Sequence, residues 1–504
     1  MTTKEQINYL LTDPERLLAR KPFTRGADSG TIDRDDNDVY IGSTVRASLS
    51  RIKRHVISQD VYISELDPEM HKVLFDSNIP SICAHIKDGD YMNTEFVKTA
   101  IPFQRSIMEK QTLHMACMPM KFTLSDKKPD DKQQAAFVVC KHHWDLRNQD
   151  GMKVKMVATA KSYGDAGLLY YMDRKGEIRS RLLSYADGYV ICSHNDENGD
   201  RLMESVYYAV GGKEYIDSWD DTNFHRYEHD AKGEWTLTSE PHGFKEIPLI
   251  TKRTNVAWEG TQSLTESYEI LYNIFQVLQR KWGWGMLYVK GKLDENARKI
   301  AGNIVLNDVS YDGNGDAKFL TPPTPQNTID TLENIFERIQ IASGTTFILP
   351  KDIHTSSDTS GVAVKMTQSL DIQTAANGIV EWQNVADKMV RLFKQGLAME
   401  FRNKSKFTEE EIKVLEELNI NASFDIWTPY SESEYNQMLC TMKNSGILSQ
   451  QTSVEFNTIS RPDEVERIAK EHKEELERKL DETRRTKELE AEFSEQKTNT
   501  DDNE

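Results

Sequence analysis

The sequence has no long apolar run, no paired cysteines, no excess of positive charge and none of the short signatures of common catalytic loops, and each absence removes a class of function. The most apolar stretches, such as Phe347 to Pro350 and Gly167 to Met172, fall far short of the roughly 20 residues a helix needs to cross a bilayer, so no membrane span is expected. The amino terminus, MTTKEQINYLLTDPERLLARK, carries no apolar core followed by a small-residue cleavage site, and synthesis in the cytoplasm is expected. Five cysteines, Cys83, Cys117, Cys140, Cys192 and Cys440, are scattered and never form a CxxC pair. They read as reduced, mostly buried thiols without a metal or redox role. A formal net charge of -18 argues against a protein that grips nucleic acid, because such binders neutralise phosphates with Lys and Arg. That acidity fits ordinary solubility, or a surface past which DNA slides without sticking. GxxxxGK, HExxH, GxSxG and GxGxxG are all missing, so no cofactor is expected and any ATP hydrolysis belongs to another protein.

What is present is a long, polar, mainly helical chain. At 504 residues it exceeds one ordinary core, so two or more structural regions are expected. Its 38% hydrophobic content suffices to fold, while 29% charge and a mean hydropathy of -0.64 describe a polar surface. Ile7, Leu10, Leu11, Leu17 and Leu18 give residues 4 to 20 one apolar helical side. Arg46, Arg51, Lys53, Arg54 and His55 then form a basic cluster, read as a solvated face. From about Leu168 to Thr238 the pattern changes to short alternating strands, and in NFHRYEHDAKGEWTLT the Asp-Ala-Lys-Gly stretch predicts a hairpin turn.

Beyond Gly260 helical spacing dominates. Leu264, Tyr268, Leu271, Phe275, Leu278 and Trp282 recur at intervals of four and three, with Ile270, Ile274 and Val277 in a second row, so this helix packs against more than one neighbour. After Trp282-Gly283-Trp284-Gly285 a compact excursion is expected: a strand at Met286 to Val289, a short helix near Asp294 to Ala301, and a strand pair around Tyr311-Asp312-Gly313-Asn314-Gly315. It ends at the extended connector Thr321-Pro322-Pro323-Thr324-Pro325. Helix resumes through Ile329, Leu332, Ile335, Phe336 and Ile339. The turn-rich loop GTTFILPKDIHTSSDTSG, residues 344 to 361, has an unusually apolar heart. From Val362 helical register holds for about 40 residues, some 60 Å, with Asp358, Thr359 or Ser360 as the expected cap. The last hundred residues give a small helical region and a charged helix from about Pro462 to Phe493, with the final QKTNTDDNE expected to be disordered.

One constellation invites a metal: His225 and His229 among Asp220, Asp221 and Asp230. Four residues along a strand, however, separate the two histidines by roughly 13 Å, too far to share an ion bound at about 2 Å from each ligand. No metal is expected there. His142-His143 are neighbours pointing different ways and read as structural.

Three stretches of the second half resemble the portal proteins of tailed bacteriophages, siphophage-like class. PHGFKEIPLITKRTNVAWEGTQSL, residues 241 to 264, is similar to the family's His-x-Gly turn, Ile/Val-Pro strand, Asn and Gly before the first stem helix. SSDTSGVAVKM, residues 356 to 366, resembles the Ser-Ser-Gly-[Val/Ile]-Ala-[Leu/Val]-Lys stretch that opens the long helix. SGILSQQTSVEFN, residues 445 to 457, with PDEVERIAKE after it, resembles the carboxy-terminal pattern.

The resemblance implies an α+β, predominantly helical portal fold: wing at 1–262, stem helix at 263–282, clip at 283–326, second stem helix at 327–343, tunnel loop at 344–360, long helix at 361–402, crown at 403–480 and a charged, partly disordered tail at 481–504. It implies a homo-dodecameric ring at one capsid vertex of a virion, through which double-stranded DNA passes without sequence specificity during packaging and ejection. Expected partners are the terminase large subunit, head-completion and adaptor proteins, and the major capsid and scaffolding proteins. Thr345, Thr346, Phe347, Lys351, His354, Ser356 and Ser357 are the expected channel residues, with Lys351 either near DNA or paired to a neighbouring subunit. The Leu264 to Trp282 row is expected to pack between subunits. Two other classes stay open on sequence alone: a head or tail structural protein that does not conduct DNA, and a metal-dependent nuclease or hydrolase built on His225 and His229.

Overall fold

The computed structural model describes Leu10 and residues 59–79, 82–87, 90–126, 129–196, 198–229, 235–282, 286–290, 298–300, 303–305, 316–320, 326–347, 366–405, 407–428, 432–457 and 464–501. It is α+β with helix predominant. The chain forms two compact units, one of Met1–Ile348 with Gln368–Trp427, the other of Leu349–Thr367 with Thr428–Glu504.

In the first unit the described elements start with helices α1 (Asp60–Leu66) and α2 (Lys72–Phe75) and the hairpin β1 (Ile82–Lys87) and β2 (Asp90–Glu95). Helix α3 (Phe103–Ala116), strand β3 (Lys121–Leu124) and helices α4 (Asp131–Leu146) and α5 (Gln149–Tyr163) follow. Helix α4 starts where it does because Asp130 and Gln133 cap each other reciprocally, at 2.7 and 3.0 Å. Helix α5 stops at Gly164, whose φ of +83° suits a residue without a Cβ. Strands β4 (Asp165–Met172) and β5 (Ile178–Leu183) come next, then an antiparallel meander of β6 (Val190–Asn195), β7 (Arg201–Val210), β8 (Lys213–Trp219), β9 (Asn223–His229) and β10 (Trp235–Pro241). Trp235 pairs with His229 across the expected hairpin, and Tyr208 stacks on its cross-strand partner Tyr215 with centroids 5.2 Å apart. Strand β11 (Leu249–Arg253) joins β4 and β5 in a separate three-stranded sheet.

Helix α6 (Gln262–Trp282) leads to strands β12 (Met286–Lys290), β13 (Arg298–Ile300), β14 (Asn303–Val305) and β15 (Asp316–Leu320), then to α7 (Gln326–Ser343). Helix α8 (Ser369–Lys404), 36 residues and about 54 Å long, is the spine of the unit. Its Trp382, Ala386, Met389, Phe393 and Leu397 are buried against Trp144 of α4, Met156 and Val157 of α5, and Leu168 and Tyr170 of β4. Each such large side chain contributes about 1.5–3 kcal/mol by leaving water. Two glycines let α8 approach its neighbours. A Cβ on Gly396 would collide with Ile178 Cδ1, and one on Gly378 would lie 2.7 Å from Met115 Sδ. Near its end the buried Glu400 carboxylate accepts both Nη2 bonds of Arg147, at 2.8 and 2.7 Å, together with the Ile178 amide. Helix α9 (Glu409–Glu417) and strand β16 (Ile420–Ser423), the latter paired with β3, complete this core. In the second unit, α10 (Glu432–Asn444), α11 (Gln450–Glu455) and α12 (Glu464–Asp501) follow one another, with Ser449 capping α11 through the Thr452 amide.

Several expectations are corrected. Residues 298–300, expected as the end of a short helix, are strand β13, whose Ile300 pairs with Asn303; branched Ile300, Ile304 and Val305 around Gly302 favour a strand. Strand β15 follows the Asp-Gly-Asn-Gly stretch as expected, but its partner is the distant β12 rather than a local hairpin arm. The residue before α8 is Gln368, which makes no side-chain cap, and the expected caps Asp358, Thr359 and Ser360 lie outside the described residues. Residues 407–427, expected with the crown, belong to the first unit, because Ile412, Leu415 and Phe424 are buried in its core. The chain's end is helical through Asp501 rather than disordered from Gln496, since no Gly or Pro interrupts it after Pro462. Of the cysteines expected to be mostly buried, Cys140 and Cys192 are buried while Cys117 and Cys440 are exposed. The amino-terminal helix and basic cluster lie outside the described residues except for Leu10, which is buried against Ile216 and Tyr227.

Candidate functional site

Two features fit a protein that works by assembly and placement: the faces of α6, and the root of the loop that leaves α7. Among the described residues no group of three or more His, Cys, Asp or Glu could hold a metal ion, and no helix is long and apolar enough to cross a membrane. His225 and His229 do lie on one strand, but in two separate pairs. His225 Nε2 is 3.0 Å from Asp220 Oδ2, while His229 stacks on Trp235 and lies 3.4 Å from Glu214. His143 sits on α4, where Arg147 Nη1 lies 2.7 Å from its Nδ1.

Helix α6 meets its own chain on two sides. Leu264 and Tyr268 pack into a cluster with Phe103, Trp258, Ile339 and Phe336, and Tyr268 meets Phe103 edge to face at 5.2 Å. Ile270 and Val277 instead pack on Val73, Ile79 and Phe96. Between these two faces Ile274 and Leu278 remain 40% and 45% exposed. Leu271 and Phe275 are half-buried, and Trp282 ends the helix.

No local pattern marks the helix's polar anchors. Buried Glu269 accepts the Ile101 amide at 2.7 Å and pairs with His71 Nδ1 at 2.7 Å. Burial pulls the His71 pKa down, but the bond and charge of Glu269 outweigh it and leave it raised. Asn273 bonds both the amide and the carbonyl of Thr99, at 2.8 and 2.7 Å, as a neighbouring strand would.

The loop root is held by three helices. Helix α7 ends at Gly344 with φ +63°, and the Thr345 amide reaches back to the Gln340 carbonyl at 3.1 Å, a Schellman closure. A Cβ at Gly344 would collide with Thr374 Oγ1, which donates to the Gly344 carbonyl at 2.9 Å. From α3, Gln111 Nε2 donates to the Ser343 carbonyl at 2.8 Å and the Ala257 carbonyl at 3.2 Å. Lys110 Nζ donates to the Thr346 carbonyl and lies 3.4 Å from Asp371 Oδ2 of α8. Asp371 Oδ1 in turn accepts the Thr346 amide at 3.1 Å. The Phe347 amide donates to Gln340 Oε1 at 2.7 Å, and its ring packs 6.2 Å from Phe103 and 5.8 Å from Phe336.

Of the expected channel residues, Thr345 is fully buried and presents no side chain to a duplex. Thr346 and Phe347 are anchored at the root, and Lys351, His354, Ser356 and Ser357 lie outside the described residues. Lys110, Gln111, Asp371 and Thr374 were missed, because each acts across a long sequence separation without a local signature.

Comparison with known proteins gives the class. The family described as "Phage portal protein, SPP1 Gp6-like" matches residues 61–478, and the chain belongs to it. Among solved structures it is similar to a chain in the neck of an empty GTA particle computed with C6 symmetry. The identity is 12%, over 69% of this chain and 88% of that one, with a TM-score of 0.42. A chain of the virion of a native gene transfer agent particle gives 12% identity over 69% and 86%, with a TM-score of 0.37. No curated protein matches the chain.

Proposed function

We propose that the chain is the subunit of a closed, twelvefold ring at one vertex of a virion capsid, the passage for double-stranded DNA during packaging and ejection. Membership of the portal family over residues 61–478 carries the reading. In this reading α6 and α7 are the stem, residues 283–326 the clip that docks the terminase large subunit and later the head-completion and adaptor proteins, and 344–360 the tunnel loop. The wing comprises residues up to 262 together with α8, α9 and β16; the crown is the helical unit after Thr428. Capsid and scaffolding proteins surround the wing.

The mechanism is passive and geometric. The terminase supplies force, no catalytic role falls to this chain, and DNA is met through shape and backbone phosphate without base readout. A net charge of -18 keeps the wall from holding phosphate. The loop root is neutralised internally by the Lys110–Asp371 pair, which leaves Lys351, His354, Ser356 and Ser357 as the proposed channel residues. The exposed Ile274 and Leu278 are the part of α6 left for a neighbouring subunit.

Electron microscopy of the purified full-length protein along its symmetry axis tests the reading. A closed ring near twelvefold with a duplex-wide hole supports it; a stable small oligomer without a hole refutes it. Replacing Lys351→Ala should lower packaged or retained DNA in assembled heads, and unchanged packaging and ejection would deny Lys351 a role in the channel. Deleting residues 347–355 should leave rings that retain DNA poorly; loss of the ring itself would make the loop a structural element.

A further inference from the structure

At the head of α6 a cavity of about 270 Å³ opens between α1, the start of α2, the first turn of α3 and the first two turns of α6. Its wall is two-sided. Val61 and Met70 supply apolar surface, while Glu65, Glu266 and Glu269 bring carboxylates. Two more oxygens on this wall, Gln104 Oε1 and Thr265 Oγ1, have no hydrogen-bond partner although their residues are 5% and 1% exposed. A buried polar atom left unpaired costs about 1–3 kcal/mol, so such atoms beside one cavity favour a bound polar partner there. Gln262 Nε2 on the same wall, a donor on a residue 7% exposed, is likewise without a hydrogen-bond partner.

The chemistry of the wall narrows the occupant. Gln104 Oε1 calls for a donor, Gln262 Nε2 for an acceptor and the Thr265 hydroxyl for either, so the carboxylates set the sign of the occupant. Three carboxylates face the cavity against two cationic side chains, and of those two His71 is already committed to Glu269 while Lys72 stands exposed at the rim. A bare metal ion is a poor fit, because no three acidic or histidine side chains among the described residues converge on one point. We propose that this cavity binds an alkyl-ammonium or alkyl-guanidinium group, its carbon stem lying on Val61 and Met70 and its N–H donors reaching Gln104, Thr265 and the carboxylates. Burial also pushes the Glu65 carboxyl up, against the bond from Trp258 Nε1 at 2.7 Å, and a cation beside it relieves that cost. Such a group has two sources: a free polyamine, or a Lys or Arg side chain of a second copy.

The test uses full-length protein, with spermidine and N-propylguanidine as probes and calorimetric titration as readout, so it does not depend on DNA passage. Saturable binding of at least one probe, weakened tenfold or more by both Glu65→Gln and the near-isosteric Thr265→Val, supports the site. Absence of saturable binding to the wild type overturns it, as does affinity unchanged in either variant while circular dichroism shows both folded. Oligomer size under saturating N-propylguanidine separates the sources. Dissociation to smaller species means the probe displaces a neighbour's side chain, and an unchanged oligomer that binds the probe means the natural occupant is free.

Discussion

Replacing Lys110→Met removes the cation of the loop root while keeping much of its apolar stem. The Lys110 side chain is 20% exposed and that of Asp371 only 2%, so the substitution leaves a buried carboxylate without its partner. Breaking a fully buried pair costs about 3–5 kcal/mol, and the partial exposure of Lys110 brings this to about 2 kcal/mol. The lost bond to the Thr346 carbonyl adds about 1 kcal/mol. A total near 3 kcal/mol raises the equilibrium for opening the root about 100-fold, at about 1.4 kcal/mol per decade. The Thr346 and Phe347 amides, which donate to Asp371 and Gln340, should then exchange with deuterium about 100 times faster, while amides around the buried Phe393 keep their rates. Asp371→Asn, which retains an acceptor for Thr346, should accelerate exchange only about fivefold, or about 1 kcal/mol. If Lys110→Met leaves both amides within about twofold of wild type, the root is held by Phe347 on Phe103 and Phe336, and the electrostatic account is wrong.

Gly344→Ala should lower stability by about 2 kcal/mol or more, because the left-handed backbone and the approach of Thr374 both oppose a Cβ; thermal unfolding beside Thr374→Ala, which removes the obstructing oxygen, tests this. The His71–Glu269 pair should give a pH-dependent share of stability. The folded pKa of His71 is raised, so that share is complete below the unfolded value near 6.5 and is lost as pH rises through the folded one. The stability difference between wild type and His71→Gln, from urea unfolding, should therefore be larger at pH 6 than at pH 9; a larger difference at pH 9 would contradict the pairing. Iodoacetamide on the native protein should modify Cys117 and Cys440 first and spare Cys140, which is buried and whose thiol burial pushes up to about 12, as mapped by peptide mass.

Sequence periodicity disclosed the helices because a helix is almost alone in repeating an apolar arc about every 3.6 residues, as with Trp382, Ala386, Met389 and Phe393. The meander was equally legible from alternation between turn residues. Periodicity cannot reveal which part of an arc meets its own chain: Leu264 and Tyr268 pack, half-buried, on an internal cluster, whereas Leu278 of the same row is 45% exposed. Polar anchors escaped for a different reason. Lys110 and the Thr346 carbonyl it holds are 236 residues apart, and Gln111 and Ser343 are 232 apart. A lone lysine or glutamine in a helical stretch has many surface uses, so only the folded chain assigns it to a loop root. Strand β13 at 298–300 was missed within the helix expected near Asp294 to Ala301, because a three-residue strand has too little pattern to compete with helix-forming neighbours.

The root's construction also constrains how load on the loop would travel in the proposed ring. Phe103, at the start of α3, touches Tyr268 of α6, Phe336 of α7 and Phe347 of the root. Seven residues on, Lys110 reaches Asp371 of α8, and at the far end Met115 meets Gly378 of the same helix while His114 Nδ1 lies 2.9 Å from the Trp427 carbonyl. Helix α3 is therefore a strut that ties α6, α7, the loop root and α8 together. A displacement of residues 344–347 cannot be absorbed by the loop alone, because Thr346 is bonded on both its amide and its carbonyl to different helices. Close-packed helices transmit such a shift rather than dissipate it. A charge pair internal to the subunit suits the proposed channel: a cation already committed to Asp371 adds no net positive charge that would retain phosphate there.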